Sequence, residues 1–412
     1  MDELSFEPDD SLYRNRDSLS EEYTPAEIVG RDSELQKYHS ALQPVINGES
    51  PDNIFLYGKT GVGKTAATNF LLKQLQEDTE RFDIELTVID VNCEGLSSSY
   101  QVAINLVNKL RSPENQLSKT GHPQYEVYEY LWEAIDELGG TVLIVLDEVD
   151  NIGEDDSILY QIPRARSNGN VTNARLGIIG ISNDLAFREN LSPKVRSSLC
   201  DRNISFPPYD AGELEAVLQQ RADVAFHDGA LDDEVIPLCA AYGAQDAGDA
   251  RKALDLLRGA GDFARAEEAD VVTGDHVRRS REEIEREEVM DGIADLADHQ
   301  QLTVYALATL EAEGNTPARS QLVYQRYETL CDSAVKDART SRRVRDFLAD
   351  LESLSITTSG RQNTGAEGGQ YREHQLQHDL PTVLSAMSEL IRRVGVHHSI
   401  EDAIEDSNQV IV

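Results

Sequence analysis

The stretch Gly58-Lys59-Thr60-Gly61-Val62-Gly63-Lys64-Thr65 constrains this chain more than any other. It follows the apolar run Ile54-Phe55-Leu56-Tyr57 and precedes a helix-like pattern from Ala66 to Leu72. Strand, glycine-rich loop and helix in that order make the G-x-x-x-x-G-K-[ST] pattern meaningful. The glycines let the backbone curl, so that several N–H groups converge on a polyphosphate at the positive end of the helix dipole. Lys64 is then placed to reach the β- and γ-phosphates, and Thr65 to put its hydroxyl on Mg²⁺. The loop predicts a nucleoside triphosphate site that also takes Mg²⁺.

A loop of this kind needs a parallel sheet behind it, and the chain supplies one. Segments 53–57, 86–91, 141–150, 176–183 and 203–206 read as buried strands, with helices at 32–46, 98–111 and 124–138. Strands alternating with helices, apolar on both faces, predict an α/β domain whose sheet is covered on both sides. After Pro207-Pro208-Tyr209 the strand signals stop, and four helical patterns follow, at 213–226, 234–242, 249–263 and 275–291. From Gly292 a third region shows helices at 302–313, 320–332 and 341–354, then strands at 355–359 and 370–376 around a Gly-rich loop. Three helices and a two-stranded wing predict a winged-helix domain. The expected organisation is a mobile acidic tail (1–22), a sheet domain (23–208), a helical lid (209–292), a winged helix (293–380), and a C-terminal helix with an acidic end (381–412). There is no internal repeat.

The formal charge is −37, from 75 Asp and Glu against 38 Lys and Arg, and Arg far outnumbers Lys. The acids are dispersed among well-patterned segments, not gathered in one tail. Such a surface resembles that of a protein from the salt-filled cytoplasm of a halophile, where the Debye length is about 3 Å or less and self-repulsion costs little. Acidity by itself argues against a nucleic-acid partner, but that argument weakens in molar salt. Cys93, Cys200, Cys239 and Cys331 are widely spaced with no C-x-x-C pair, so they give neither a zinc signature nor a disulfide framework and fit a reducing interior. No signal peptide opens the chain and no apolar run approaches membrane-spanning length. The expectation is a soluble, cytoplasmic protein with no membrane partner.

Asp147-Glu148, at the carboxyl end of the apolar run 141–146, supplies the second half of a nucleotide site. Asp147 would hold Mg²⁺ with Thr65, directly or through water, and Glu148 would orient and activate the attacking water. Asn183 ends the next strand, where its amide could touch that water or the γ-phosphate.

These motifs, with Leu191-Ser192-Pro193-Lys194-Val195-Arg196-Ser197-Ser198-Leu199 and Gly248-Asp249-Ala250-Arg251, fall in the order of an AAA+ ATPase. The opening, 23–66, and the tail, 342–354 plus Gly368-Gly369-Gln370-Tyr371, more specifically resemble the archaeal origin-recognition initiators, relatives of the eukaryotic origin recognition complex and its helicase-loading factor. The resemblance runs over residues 20–380. It implies that Gly58 through Ala66 cradle the nucleotide, that Val29 and Arg31 lie beside the adenine, and that Tyr209 packs near the base where the lid begins. It further implies that Arg221 and Arg251 approach the phosphates, Arg251 as the second sensor. The first basic position of the 191–199 box is Lys194, which leaves Arg196 as the trans-acting arginine finger. The helices at 98–138 match the family's insertion and imply a second DNA contact. A replicative helicase as partner, and self-association on DNA, come from the resemblance as well.

In the 341–354 helix, Val344, Phe347, Leu348, Leu351 and Leu354 repeat at helical spacing as one buried face. Arg342 points away from it, with Arg343 and Arg345 on its flanks. A basic first turn on an acidic protein suits a recognition helix in the major groove. Arg361 and Arg372 bracket the Gly-rich loop, which would lie on the backbone or in the minor groove. The expected function is an ATP-dependent initiator that binds double-stranded origin DNA and helps to open it or to load the helicase, with slow hydrolysis acting as a switch. The alternatives are a winged-helix regulator with an idle ATP site and a clamp-loader-like AAA+ enzyme.

Overall fold

The computed structural model describes residues 12–21, 23–153, 155–199, 202–363 and 370–401; the side chains of residues 188, 197, 198, 361–363 and 370 lie outside the description. Two compact units divide the chain between Ser280 and Arg281.

In the first unit, β1 (Ile54–Tyr57), β2 (Leu86–Asn92), β3 (Thr141–Asp147), β4 (Arg175–Ser182) and β5 (Arg202–Ser205) form one sheet in the order β2-β3-β4-β1-β5. Every pairing is parallel. With β4 between β1 and β3, the carboxyl ends that carry the Gly58 loop, Asp147 and Asn183 fall side by side, where open parallel sheets place their ligands. Alternate side chains enter two apolar layers. Val142, Ile144 and Leu146 meet α3 (Ser99–Leu110), α4 (Gln124–Leu138) and α5 (Ser157–Arg164). Leu143 and Val145 meet α1 (Asp32–Ile46) and α2 (Lys64–Arg81). Burial on both faces is why these strands read as unbroken apolar runs, each large side chain contributing about 1.5–3 kcal/mol. A Cβ at Gly180 would fall 2.7 Å from the Phe55 ring, so the middle strand must be bare there. Beyond β4, α6 (Phe187–Asn190) and α7 (Pro193–Leu199) add Phe187, Val195 and Leu199 to the first layer.

The helical part of this unit holds α8 (Ala211–Ala225), α9 (Val235–Gln245), α10 (Ala250–Ala266) and the start of α11 (Gly274–Ala294). A reciprocal cap opens α8: Asp210 accepts from the Glu213 amide at 2.8 Å, and the Glu213 carboxylate accepts from the Asp210 amide at 3.0 Å.

Residues 12–21, expected in a mobile tail, are instead a strap packed on these helices. Tyr13 bridges to Phe226, stacks on its ring at 4.7 Å and donates its hydroxyl to the Arg258 carbonyl at 2.9 Å. Arg16 forks onto Asp262 at 2.8 and 2.5 Å, and Leu12 and Leu19 are buried. Long-range anchors hold the segment without any repeating face. Residues 1–11 and 22 lie outside the described residues.

The second unit carries α12 (Asp298–Ala312), β6 (Ala318–Arg319), α13 (Ser320–Ser333), α14 (Ser341–Ser353), β7 (Thr357–Asn363), β8 (Gln370–Leu376), α15 (Leu380–Ala386) and α16 (Ser388–Val394). The strands form an antiparallel sheet in the order β6-β8-β7. Helix α12 is buried without a break from Leu302 to Leu310 and forms the spine. Into the same core α14 inserts Val344, Phe347, Leu348 and Leu351. Leu354, expected in that face, is 57% exposed, because it is the C-cap beyond the last turn. The single helix expected from residue 381 is two, α15 and α16, divided at Met387. The Gly-rich loop, 364–369, lies outside the described residues. Among the described residues no helix is long and apolar enough to cross a membrane, and Cys93, Cys239 and Cys331 are buried free thiols.

Candidate nucleotide-binding site

The glycine loop is curled as its sequence demands. Gly61 and Gly63 have φ of +69° and +88°, and Gly63 leads directly into the 18-residue helix α2. The curl therefore ends at a helix N-terminus, a ready anion site. A Cβ on Gly61 would fall 1.7 Å from Asp249 Oδ1, and one on Gly63 2.7 Å from the Tyr209 hydroxyl, so neither position has room for a side chain. The Lys64 ammonium donates to the Gly58 carbonyl at 2.9 Å, to the Lys59 carbonyl at 2.7 Å and to Asn183 Oδ1 at 2.9 Å. Burial pulls its pKa down to about 8, Arg251 acting in the same sense and Asp147 against it.

Thr65 donates its hydroxyl to Asp147 Oδ2 at 2.8 Å, and Asp147 Oδ1 accepts from the Glu148 amide at 2.9 Å. A hydroxyl and a carboxylate meeting in this way are hard oxygen donors, which fit Mg²⁺. Glu148 sits in the left-handed region (φ 52°, ψ 41°), and the chain turns there, which ends β3 at Asp147, short of its expected end at Asp150. A non-glycine residue in that region is strained by about 1–3 kcal/mol, a cost that concentrates at functional sites. Asn183 is the junction. Its backbone N–H donates to Asp150 Oδ1 at 3.1 Å and its Nδ2 to Glu148 Oε1 at 3.4 Å, while its Oδ1 accepts from the Lys64 ammonium.

One cleft of about 380 Å³ gathers most of the expected residues. Gly61, Gly63, Lys64, Thr65 and Ala66 line its floor, with Asp147, Glu148 and Asn183 beside them. Val29, Tyr209, Arg221 and Arg251 line it too. Gly58, Lys59, Thr60 and Val62 are not among the lining residues; Gly58 and Lys59 act from behind, through the carbonyls that hold Lys64. Arg196 lines a different cavity, with Phe55 and Asp184, and does not reach this one.

Two arginines are held by backbone carbonyls. Arg31, expected beside the adenine, is 1% exposed and absent from the lining. It donates to the Val62 carbonyl at 3.1 Å and the Pro207 carbonyl at 2.7 Å, with its guanidinium 3.5 Å over the Tyr209 ring. It ties the loop to the start of the lid. Arg221, expected to approach the phosphates, donates to the Ser18 and Tyr23 carbonyls at 3.0 and 3.1 Å and lies over the Tyr23 ring. Its guanidinium clamps the strap, whose Leu19, Ser20, Glu21 and Tyr23 also line the cleft. Sequence reasoning missed the strap; its signal was a few scattered apolar and aromatic residues, Leu12, Tyr13, Leu19 and Tyr23, with no repeating spacing among polar neighbours.

In the second unit, Thr340 caps α14 by accepting from the Arg343 amide, and Arg342, Arg343 and Arg345 are exposed in the first turns. Arg343 lies over Phe347 and 3.9 Å from Asp346, and Arg345 Nε donates to the Ser341 carbonyl. Arg342 has no internal partner among the described residues. Arg372 on β8 lies 3.6 Å from Glu352, and the Arg361 side chain lies outside the described set.

Residues 215–282 match the family model of the Cdc6 AAA+ ATPase-type lid domain, residues 291–386 that of the CDC6 C-terminal winged helix domain, and residues 48–185 that of an AAA domain. The chain is 56% identical over 404 residues to the ORC1-type DNA replication protein 2 of Haloarcula marismortui, covering 98% of each chain. It is 41% identical over 348 residues to an ORC1-type DNA replication protein of Thermococcus kodakarensis, covering 84% of this chain and 83% of that one. In fold it is similar to the Aeropyrum pernix ORC1 protein solved in complex with DNA, with a TM-score of 0.76 and 36% identity over 93% of this chain and 98% of that one.

Proposed function

Because this chain belongs to the ORC1-type and Cdc6 family of AAA+ replication proteins, we propose that it is an ATP-dependent replication initiator that binds double-stranded origin DNA and promotes its opening or helicase loading. The observation that carries this reading is the joining of Lys64, Thr65, Asp147, Glu148 and Asn183 at one cleft by direct hydrogen bonds, in a chain that also has a winged helix with an exposed basic first turn. The DNA in the complex of the Aeropyrum relative supports DNA as ligand.

In this reading residues 23–208 are the ATPase core, 209–292 the lid and 293–380 the DNA-binding domain. The backbone of the Gly58–Thr65 loop and the Lys64 ammonium bind the phosphates. Thr65 and Asp147 would hold Mg²⁺, which would supply neutralising charge to the phosphates. Glu148 orients the attacking water and draws on its proton, with Asn183 fixing the carboxylate. Arg251 reads the γ-phosphate from the lid, and Arg196 serves the site of a second copy on DNA. Turnover is slow and acts as a switch.

Nuclease protection tests the reading. The chain should protect an origin-proximal duplex in preference to an unrelated one, to a degree that differs between ATP and ADP. Equal protection of both duplexes, whatever the nucleotide, contradicts it.

A further inference from the structure

Arg251 is held from two directions. Its backbone is fixed by the glycine loop: the Ala250 amide donates to the Gly61 carbonyl at 3.0 Å, and Asp249 caps α10 by accepting from the Arg251 and Lys252 amides at 2.8 and 3.3 Å. The start of α10 is thus seated on the same loop that would carry the phosphates. Its side chain is held from the strap, where Arg251 Nε lies 3.4 Å from Glu21 Oε1. Glu21, Arg251 and Lys64 all line the one cleft, so this carboxylate is an anion standing beside the site of another anion. The strap that presents it is not loose, being clamped by Arg221 at Ser18 and Tyr23.

We infer that Glu21 sets the discrimination between ATP and ADP, by holding the Arg251 guanidinium as a stand-in for the γ-phosphate until the γ-phosphate displaces it. The inference rests on the ATP reading of the site. The chemistry is an exchange of one anionic partner for another with no covalent step. Since the seat on Gly61 fixes the helix, only the arginine side chain has to swing. ADP offers no γ-phosphate and leaves the Glu21–Arg251 pair in place, whereas ATP has to break it. Glu21 therefore weakens ATP binding selectively and is a specificity-determining residue, acting through Arg251.

The test is a set of ATP and ADP dissociation constants for the full chain, Glu21→Gln, Arg251→Ala and the double variant, at one fixed KCl concentration, with thermal denaturation confirming folding. A partly exposed ion pair is worth little, so Glu21→Gln should tighten ATP by about threefold to fivefold. ADP should move by less than about twofold, and the gain for ATP should vanish in the Arg251→Ala background. Unchanged ATP affinity overturns the inference, and so does equal tightening of ATP and ADP, or a gain that survives without Arg251. In each of those cases the parent still binds nucleotide and the ATP reading stands. A parent chain that binds neither nucleotide overturns both.

Discussion

Thr65 and Asp147 share a hydrogen bond of 2.8 Å between the first turn of α2 and the carboxyl end of β3. The two residues come from the two halves of the nucleotide site and meet because β4 alone separates β1 from β3. Thr65→Val keeps the shape and removes the hydroxyl, so ATP affinity in Mg²⁺ should fall at least tenfold. Affinity in EDTA should hardly change, since the loop backbone and Lys64 remain. Titration with a fluorescent ATP analogue in both buffers decides it; equal losses in the two would remove Thr65 from the metal.

The pH dependence of binding follows from Lys64, whose pKa burial draws down to about 8. Phosphates favour the protonated amine, so bound nucleotide raises this pKa again and binding is accompanied by proton uptake. ATP affinity should be level below pH 8 and fall as pH rises above it, by at most about tenfold per unit. Lys64→Arg keeps its charge throughout and should bind with a nearly flat profile. A parent profile that is flat to pH 9.5 contradicts this assignment.

Arg221 offers a test of the strap. Its guanidinium is largely buried and holds the Ser18 and Tyr23 carbonyls, and charged donors of this kind contribute about 1.5–3 kcal/mol. Arg221→Ala should destabilise the chain by about that amount in denaturant titrations. The loss should be local: the Arg14 and Asn15 amides, which donate to the Ala225 carbonyl, should exchange faster with solvent while those of β3 stay protected. Unchanged exchange at the strap would mean that Tyr13 and Arg16 anchor it alone.

How far the site could be read in advance depended on whether its parts have a local pattern. The Gly58–Thr65 loop and Asp147-Glu148 did, because the strand, turn and helix around them leave period and composition signals. The bounds expected for α1 and α4 agree with the observed ones for the same reason. The strap left no such signal: Tyr13 and Arg16 act singly through contacts more than 200 residues away in sequence, such as Arg16 with Asp262. Arg31 and Arg221 were legible as functional arginines but not by partner, since nothing local says which carbonyl a guanidinium will meet. Helix α5 went unassigned because it is eight residues long and carries Pro163 inside it.

On the DNA side, Arg342 and Arg372 should separate specificity from affinity. Arg342 is exposed at the start of α14, so Arg342→Ala should leave the core intact. If it contacts a base edge, its loss should cost about 1–3 kcal/mol on an origin duplex and relax the preference at one position. Arg372→Ala should weaken origin and scrambled duplexes alike, because phosphate contacts position without specifying. A folded Arg342→Ala chain that binds both duplexes as the parent does would remove α14 as the reader.

The most direct measurement of the central claim is a genome-wide map of the DNA bound by this chain in its own cells. An initiator should occupy one or a few sites that coincide with replication starts, with Lys64→Ala reducing occupancy at those sites. Peaks spread over promoters, unchanged by Lys64→Ala, would contradict the account and identify a regulator whose nucleotide site is idle.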